Sequence, residues 1–279
     1  PYTLFCADDS FIVPRAAAAC VDFLEAHPDH HAAHGRQISV TREGGALVYA
    51  PCYVQDAQLC IDAESPAERL KQVYRPYSPT FYAVHRTESV RDFVKTASGR
   101  KINDVMLELL SAMTGAVNGK HAVLPLLYHV TEIVPSILDA KKRRLPGADD
   151  ILTKPEHSAE REDFTAALSE FYAQRTGAKA EQATEAIEAS LAAYLETQRG
   201  TPRRSLAQKL PCYLRNTLAG LGWRSQDYGS LENARAQKRR EAAGPAGEMD
   251  ALLALFDKKA RTEFASIRAL MTAYYEGRP

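Results

Sequence analysis

The residues most able to do chemistry lie close to the start of the chain. The segment Tyr2-Thr3-Leu4-Phe5-Cys6-Ala7-Asp8-Asp9-Ser10-Phe11-Ile12-Val13-Pro14 runs from an apolar stretch into two adjacent carboxylates, and ends at a proline suited to the first position of a helix. Ligands of open α/β sheets sit beyond the carboxyl ends of the strands. Asp8 and Asp9, placed there, offer hard oxygen donors to Mg²⁺ or Mn²⁺. Such an ion bridges phosphates and stabilises a departing diphosphate. The same residues also fit a plain turn in which Asp9 or Ser10 caps the next helix.

A second acidic pair is Asp104 and Glu108. They are four residues apart, so they share one side of the helix expected over residues 102–113. They stand beside the apolar stripe of Ile102, Val105, Met106, Leu109, Leu110 and Met113. A carboxylate there could serve as a general base for a hydroxyl proton, and the spacing equally describes a solvated helix face. A third group, Tyr77, Ser78, Phe81, Tyr82, His85 and Arg86, mixes aromatic faces with a few polar groups, as binding sites do. The alternative for these residues is an ordinary strand with one buried face and a core His85 bonded to a backbone carbonyl. His27, His30, His31 and His34 follow a helix end, where ring directions are unfixed, and are not read as a metal site.

The elements that must position these groups come in two compositions, joined near residue 145. Before it, strands are expected at Tyr2–Cys6, Gln37–Val40, Ala46–Tyr49, Thr80–His85 and Ala122–Val130. Helices are expected after Pro14 and at Ala67–Val73, Glu88–Lys95 and Ile102–Met113. Glu43-Gly44-Gly45 marks a hairpin turn, and Thr87 is a helix-cap candidate. Alternating strands and helices predict an α/β fold with helices against a mixed sheet. After Pro155 strand signals vanish, and helices are expected over Ala159–Gln174, Glu181–Gln198, Ser205–Leu221 and Met249–Tyr275, with Pro211 bending the third.

Composition narrows the class. The chain has 279 residues, 35 basic against 35 acidic, with 45% hydrophobic and 25% charged residues. That profile excludes a disordered or fibrous chain and argues against nucleic acid as a partner of the whole chain. No apolar run reaches the roughly 20 residues of a membrane-spanning helix. Five cysteines, without a Cys-x-x-Cys pair, point to a reducing cytoplasm. The zero total hides an acidic block at residues 155–198 (3 basic, 9 acidic) beside a basic one at 199–240 (10 basic, 2 acidic). The basic block, with Arg203, Arg204, Lys209, Arg215, Arg224 and Trp223, is expected to dock on the acidic helices, leaving weak peripheral contact with anionic membrane surfaces at the inner face.

LFCADDSFIVP followed by CVDFLEAHPDHHAAHGR resembles the acidic-motif region of bacterial family-two-like glycosyltransferases of the GT-A fold. YRPYSPTFYAVHRTESVRDF is similar to the strand and helix near their acceptor site. NDVMLELLSAMTGAVNGKHAVLPLLYHVTE is similar to the stretch holding their acidic helix and the strand after it. The likeness spans roughly residues 1–140, in three ordered blocks. Cys6 stands at the motif's first acidic position, Asn103-Asp104 replaces its Glu-Asp pair, and Thr131 replaces an Arg.

The resemblance implies a partial GT-A-like mixed sheet with flanking helices, followed by an all-helical region. Residues 1–145 would be the carboxyl-terminal part of a catalytic domain, without its nucleotide-binding half, and residues 146–279 a helical appendage. It implies metal-assisted, inverting transfer of a sugar from a nucleotide-sugar donor to a sugar or glycan acceptor. Asp8 and Asp9 would hold the metal, Asp104 (ahead of Glu108) would be the base, and Asp9, Tyr82, His85 and Arg86 would contact substrate. The alternative is a non-catalytic, transferase-like scaffold with a helical docking region.

Overall fold

The structure, a computed structural model, describes residues 1–43, 46–51, 61–73, 80–132, 147–200 and 258–276. Its strands are β1 (Tyr2–Thr3), β2 (Ser10–Ile12), β3 (His30–Glu43), β4 (Ala46–Pro51), β5 (Val84–Arg86) and β6 (Lys120–Glu132). Its helices are α1 (Pro14–Ala26), α2 (Pro66–Gln72), α3 (Thr87–Ala97), α4 (Asp104–Asn118), α5 (Ala148–Thr153), α6 (Ser158–Thr176), α7 (Ala180–Gly200) and α8 (Lys258–Glu276).

The chain is mixed α/β, with one curled mixed sheet in the order β1-β5-β3-β6-β2 and β4 added to the second half of β3. Only the β3–β6 pair is parallel. A parallel pair needs a long crossover, and here it runs through α2, α3 and α4. Being central, β3 is buried from His31 through Val40 apart from a half-buried Arg36.

Two apolar clusters hold this sheet. One joins Leu70, Phe93, Met106, Leu110 and Met113 of α2–α4 to Ile151, Phe164, Leu168, Ile187 and Leu191 of α5–α7. The other packs Cys20 and Leu24 of α1 and Phe264 and Met271 of α8 against Ile38, Val40, Tyr49, Leu127 and Val130. Helices α5–α7 therefore share a core with α4, whose stripe lies where its spacing predicts, while α8 packs with α1 on the sheet. Arg100 adds ion pairs to Asp163 and Glu170 of α6. Among the described residues after 146 there are helices and no strands, and no helix is long and apolar enough to cross a membrane.

Several boundaries differ from the sequence expectation. The apolar run Tyr2–Cys6 forms a strand only over Tyr2–Thr3, and Leu4 and Cys6 are exposed. Its partner β5 is short, because Thr80–Ala83 closes a turn (Ala83 N–H to Thr80 O, 3.0 Å) where a strand was expected. Ser10, one of the two cap candidates, instead begins a strand, Ser10–Ile12, that pairs antiparallel with β6. Pro14 does open α1, but the cap is Val13 and no side chain caps the helix. Nor does Thr87 cap α3: its hydroxyl bonds that of Thr3 at 2.8 Å. His30 begins β3 rather than trailing a helix. Residues 201–257, which contain Pro211, Trp223 and all of the basic block but Arg199 and Gly200, lie outside the described residues.

Candidate functional site

The acidic motif folds as a tight link between β1 and β2. Ser10 N–H bonds Ala7 O at 3.2 Å, which turns the chain and sets Asp8 and Asp9 side by side. The turn is tied to the end of β6: Glu132 N–H donates to Asp9 O at 2.9 Å. The Ser10 hydroxyl reaches Asp9 Oδ1 (3.0 Å) and Thr131 Oγ1 (3.1 Å). Thr131 thus stands beside Asp9, at the register position opposite Ser10. The Asp8 side chain is exposed and that of Asp9 half-buried. An edge strand carries the turn because only there can two carboxylates stay in water.

Three other groups stand around this turn. Tyr82 is fixed through its backbone, whose carbonyl accepts the Tyr128 hydroxyl at 2.7 Å. Its phenol is held above its usual range by burial, and then by the negative charges of Glu108, Asp9 and Cys6. Phe5 stacks on Phe81 with centroids 4.5 Å apart, and Phe81 meets the Tyr82 ring edge-on at 5.5 Å. His129 of β6 lies 5.2 Å from the Tyr82 ring, and its Nδ1 bonds Gln37 Oε1 at 2.9 Å. Burial pushes this imidazole down to about 4, and Asp9 opposes the shift.

Glu108 enters from α4, half-buried. It also acts on Tyr194 of α7, whose phenol burial raises to about 12, with Asp149 and Glu108 adding to the effect. Asp9 from the sheet edge and Glu108 from the helix therefore bear on one ring. Asp104, one turn earlier, is exposed and is the first residue of α4. There it favours the positive helix end, while Asn103 Oδ1 caps the helix by accepting Met106 N–H at 3.0 Å.

His85 and Arg86 belong to the framework. His85 is buried, with Nε2 3.2 Å from Phe81 O. Arg86 donates to His30 O (2.9 Å), Leu24 O (2.5 Å) and His27 O (3.3 Å), and to the Tyr2 hydroxyl (3.4 Å), which joins the end of α1 to β3. His27 bonds Phe23 O at 2.8 Å and His30 pairs with Asp29 at 2.9 Å. Tyr77 and Ser78 lie outside the described residues. Sequence reasoning passed over His129 and Gln37. Nothing in the composition of β6 or β3 marks them, because what pairs them is the register Gln37↔His129.

Among the described residues, no three His, Cys, Asp or Glu side chains come together in a group that could hold a metal ion. Mg²⁺ is commonly held by one or two carboxylates, with substrate phosphates and water completing the set. Asp8 and Asp9 supply that number and type of donor, so the residues fit a substrate-completed site. No family model, curated protein or solved structure matches the chain.

Proposed function

We propose that this chain forms the acceptor side of a metal-assisted, inverting glycosyltransferase with a partial GT-A-like sheet. The observation that supports the reading is that the charges of Glu108 and Asp9, carried by separate elements, both help to hold the Tyr82 phenol above its usual range. The family likeness covers the same blocks of the chain.

In this reading Asp8 and Asp9 hold Mg²⁺ or Mn²⁺ under the diphosphate of a nucleotide-sugar donor. The bound ion supplies charge stabilisation for the departing diphosphate. Ser10, bonded to Asp9 Oδ1, orients that carboxylate and leaves its other oxygen for the ligand. The stacked Phe5 and Phe81 and the face of Tyr82 offer apolar surface for a sugar ring. Glu108 takes the proton from the acceptor hydroxyl; it is chosen over Asp104 because its charge reaches Tyr82. Asp104 supports the start of α4. His85 and Arg86 act through the framework, holding β5 against the end of α1. Contact with an anionic membrane surface remains a property assigned to the basic block.

The test is Mn²⁺ titration of residues 1–279 with and without a nucleoside diphosphate, followed by paramagnetic broadening in NMR. Broadening should centre on Ala7–Ser10 and reach the Tyr82 ring, and Asp8→Ala with Asp9→Ala should abolish it. Broadening elsewhere, or none with either addition, overturns the metal assignment and favours the scaffold alternative.

A further inference from the structure

A second polar cluster lies in the middle of the sheet, sealed from solvent. Ala32 of β3 pairs with His85 on one side and His121 on the other, so a single methyl separates two imidazole-bearing positions. The register shift between His30 and Ala32 inserts one extra residue in β3, His31, and His34 follows two positions after Ala32. The rings meet: centroids are 5.0 Å apart for His34–His121, 5.5 Å for His31–His121 and 5.9 Å for His31–His85. All four residues are at most 4% exposed. Helix α4 closes the lid with Gly115, where any Cβ would overlap the His31 ring.

Burial favours the neutral form of these rings, and the hydrogen bonds present are compatible with it. His34 Nδ1 donates to Gly35 O at 2.6 Å, and His85 Nε2 to Phe81 O. His34 Nε2 and both ring nitrogens of His121 make no hydrogen bond to the described residues. A neutral imidazole leaves one lone pair and one N–H, whereas a protonated ring would bury a charge and a further donor. The groups facing the cluster do not help. Arg69 from α2 and His30 bear on His31 and disfavour a proton there, and His129 does the same to His34. The hydroxyl of Ser89 on α3 lies 3.5 Å from His31 Nδ1 and leads through Asn118 to Asp92. Asp92 is already paired with Arg175. Asp9 bears on His129, which lies outside the cluster.

We propose that the His31–His34–His85–His121 cluster is an acid-triggered release. Neutral rings keep β3, β5 and β6 closed, and their protonation opens the sheet and dismantles the acidic turn carried by β6 in the same step. Burial holds His34 and His85 down to about 4 and His31 and His121 well below their usual range. An unfolded histidine titrates near ~6.5, so the open chain takes protons first. The stabilisation from neutral rings is therefore complete above that pH and is lost as pH falls toward about 4. Each ring multiplies the unfolding constant by about ten per pH unit, so four acting together approach 10⁴, about the steepness a switch needs. This inference does not rest on sugar transfer, because the cluster lies at the opposite end of β6 from the acidic turn.

The test follows the histidine ring ¹³Cε1 resonances and backbone amide signals of residues 1–279 from pH 8 to 4. The expected result is one cooperative transition near pH ~5, in which about three or more buried rings protonate together as β3, β6 and Ala7–Ser10 signals are lost. His121→Leu should lower the midpoint by about half a pH unit and reduce the proton count by about one, whereas His157→Gln should change neither. Rings that titrate one by one in an intact fold overturn the proposal, as does an unchanged midpoint in His121→Leu. Should that variant not fold, the wild-type count decides, with fewer than about two rings in the transition overturning it.

Discussion

The two polar groups of this sheet lie at opposite ends of β6 and follow opposite rules. Around Asp9 the side chains stay partly in water, carry charge and lean on one another electrostatically: Asp9 and Glu108 raise the Tyr82 phenol, and Asp9 opposes the fall of His129. Around His121 the rings are buried, the Arg69 charge disfavours a proton on His31, and burial holds the rings neutral. A partly solvated carboxylate can gain a ligand without disturbing its neighbours. A buried neutral ring cannot gain a proton without disturbing all of them. The first group is open to a ligand and the second is closed to solvent, and the two should separate on substitution.

The largest effect is expected from Arg69, beside the dry group. Its guanidinium donates to Ala116 O (2.6 Å) and Val117 O (3.1 Å) in the last turn of α4, and to Ala63 O and Glu64 O. Arg69→Leu strands these carbonyls in a buried site and should cost about 3 kcal/mol of folding stability. Urea unfolding measures this, and a loss near zero would mean that α4 does not depend on this cap.

Next comes the open side. Glu108→Gln, in the protein as its gene encodes it, should lower turnover about 100-fold, equivalent to about 2.7 kcal/mol at the transition state, with KM nearly kept. Its urea midpoint should not move. Asp104→Asn should leave turnover unchanged and cost a few tenths of a kcal/mol, roughly the worth of an exposed charge at a helix start. A drop in turnover confined to Asp104→Asn would return the base to the position favoured by the family pattern.

The smallest effect sharpens the geometry. Because Glu108 and Asp9 raise the Tyr82 phenol, Glu108→Gln should lower its titration midpoint toward 10, and Asp9→Asn should do so by less. Phenolate absorbance, with Tyr82→Phe as the reference, detects this. An upward shift would place Glu108 away from the ring.

Much of the framework could be read from local pattern. Six apolar residues at helical spacing placed α4, Pro14 placed the start of α1, and the run Ala122–Val130 placed most of β6, because each of these signals is carried by neighbours in the chain. The turn Ala7–Ser10 was legible for the same reason. The dry cluster was not. His31 and His34 sit on β3, His85 on β5 and His121 on β6, and no spacing relates positions so far apart. A histidine also has the same letter whether it caps a helix in water or is sealed under Gly115. His85 and Arg86 show the converse: aromatic and basic company suggested substrate contact, and the strand register spent their hydrogen bonds on the chain itself.

The amino-acid sequence by itself determined which segments become helix and strand, and that two carboxylates stand together at a sheet edge, because propensity, periodicity and adjacency are local. Only the tertiary structure decided that Glu108 rather than Asp104 bears on Tyr82, and that four histidines share one dry site. Those outcomes depend on strand order, a one-residue bulge at His31 and the seating of α4, which are set by packing between parts of the chain dozens of residues apart.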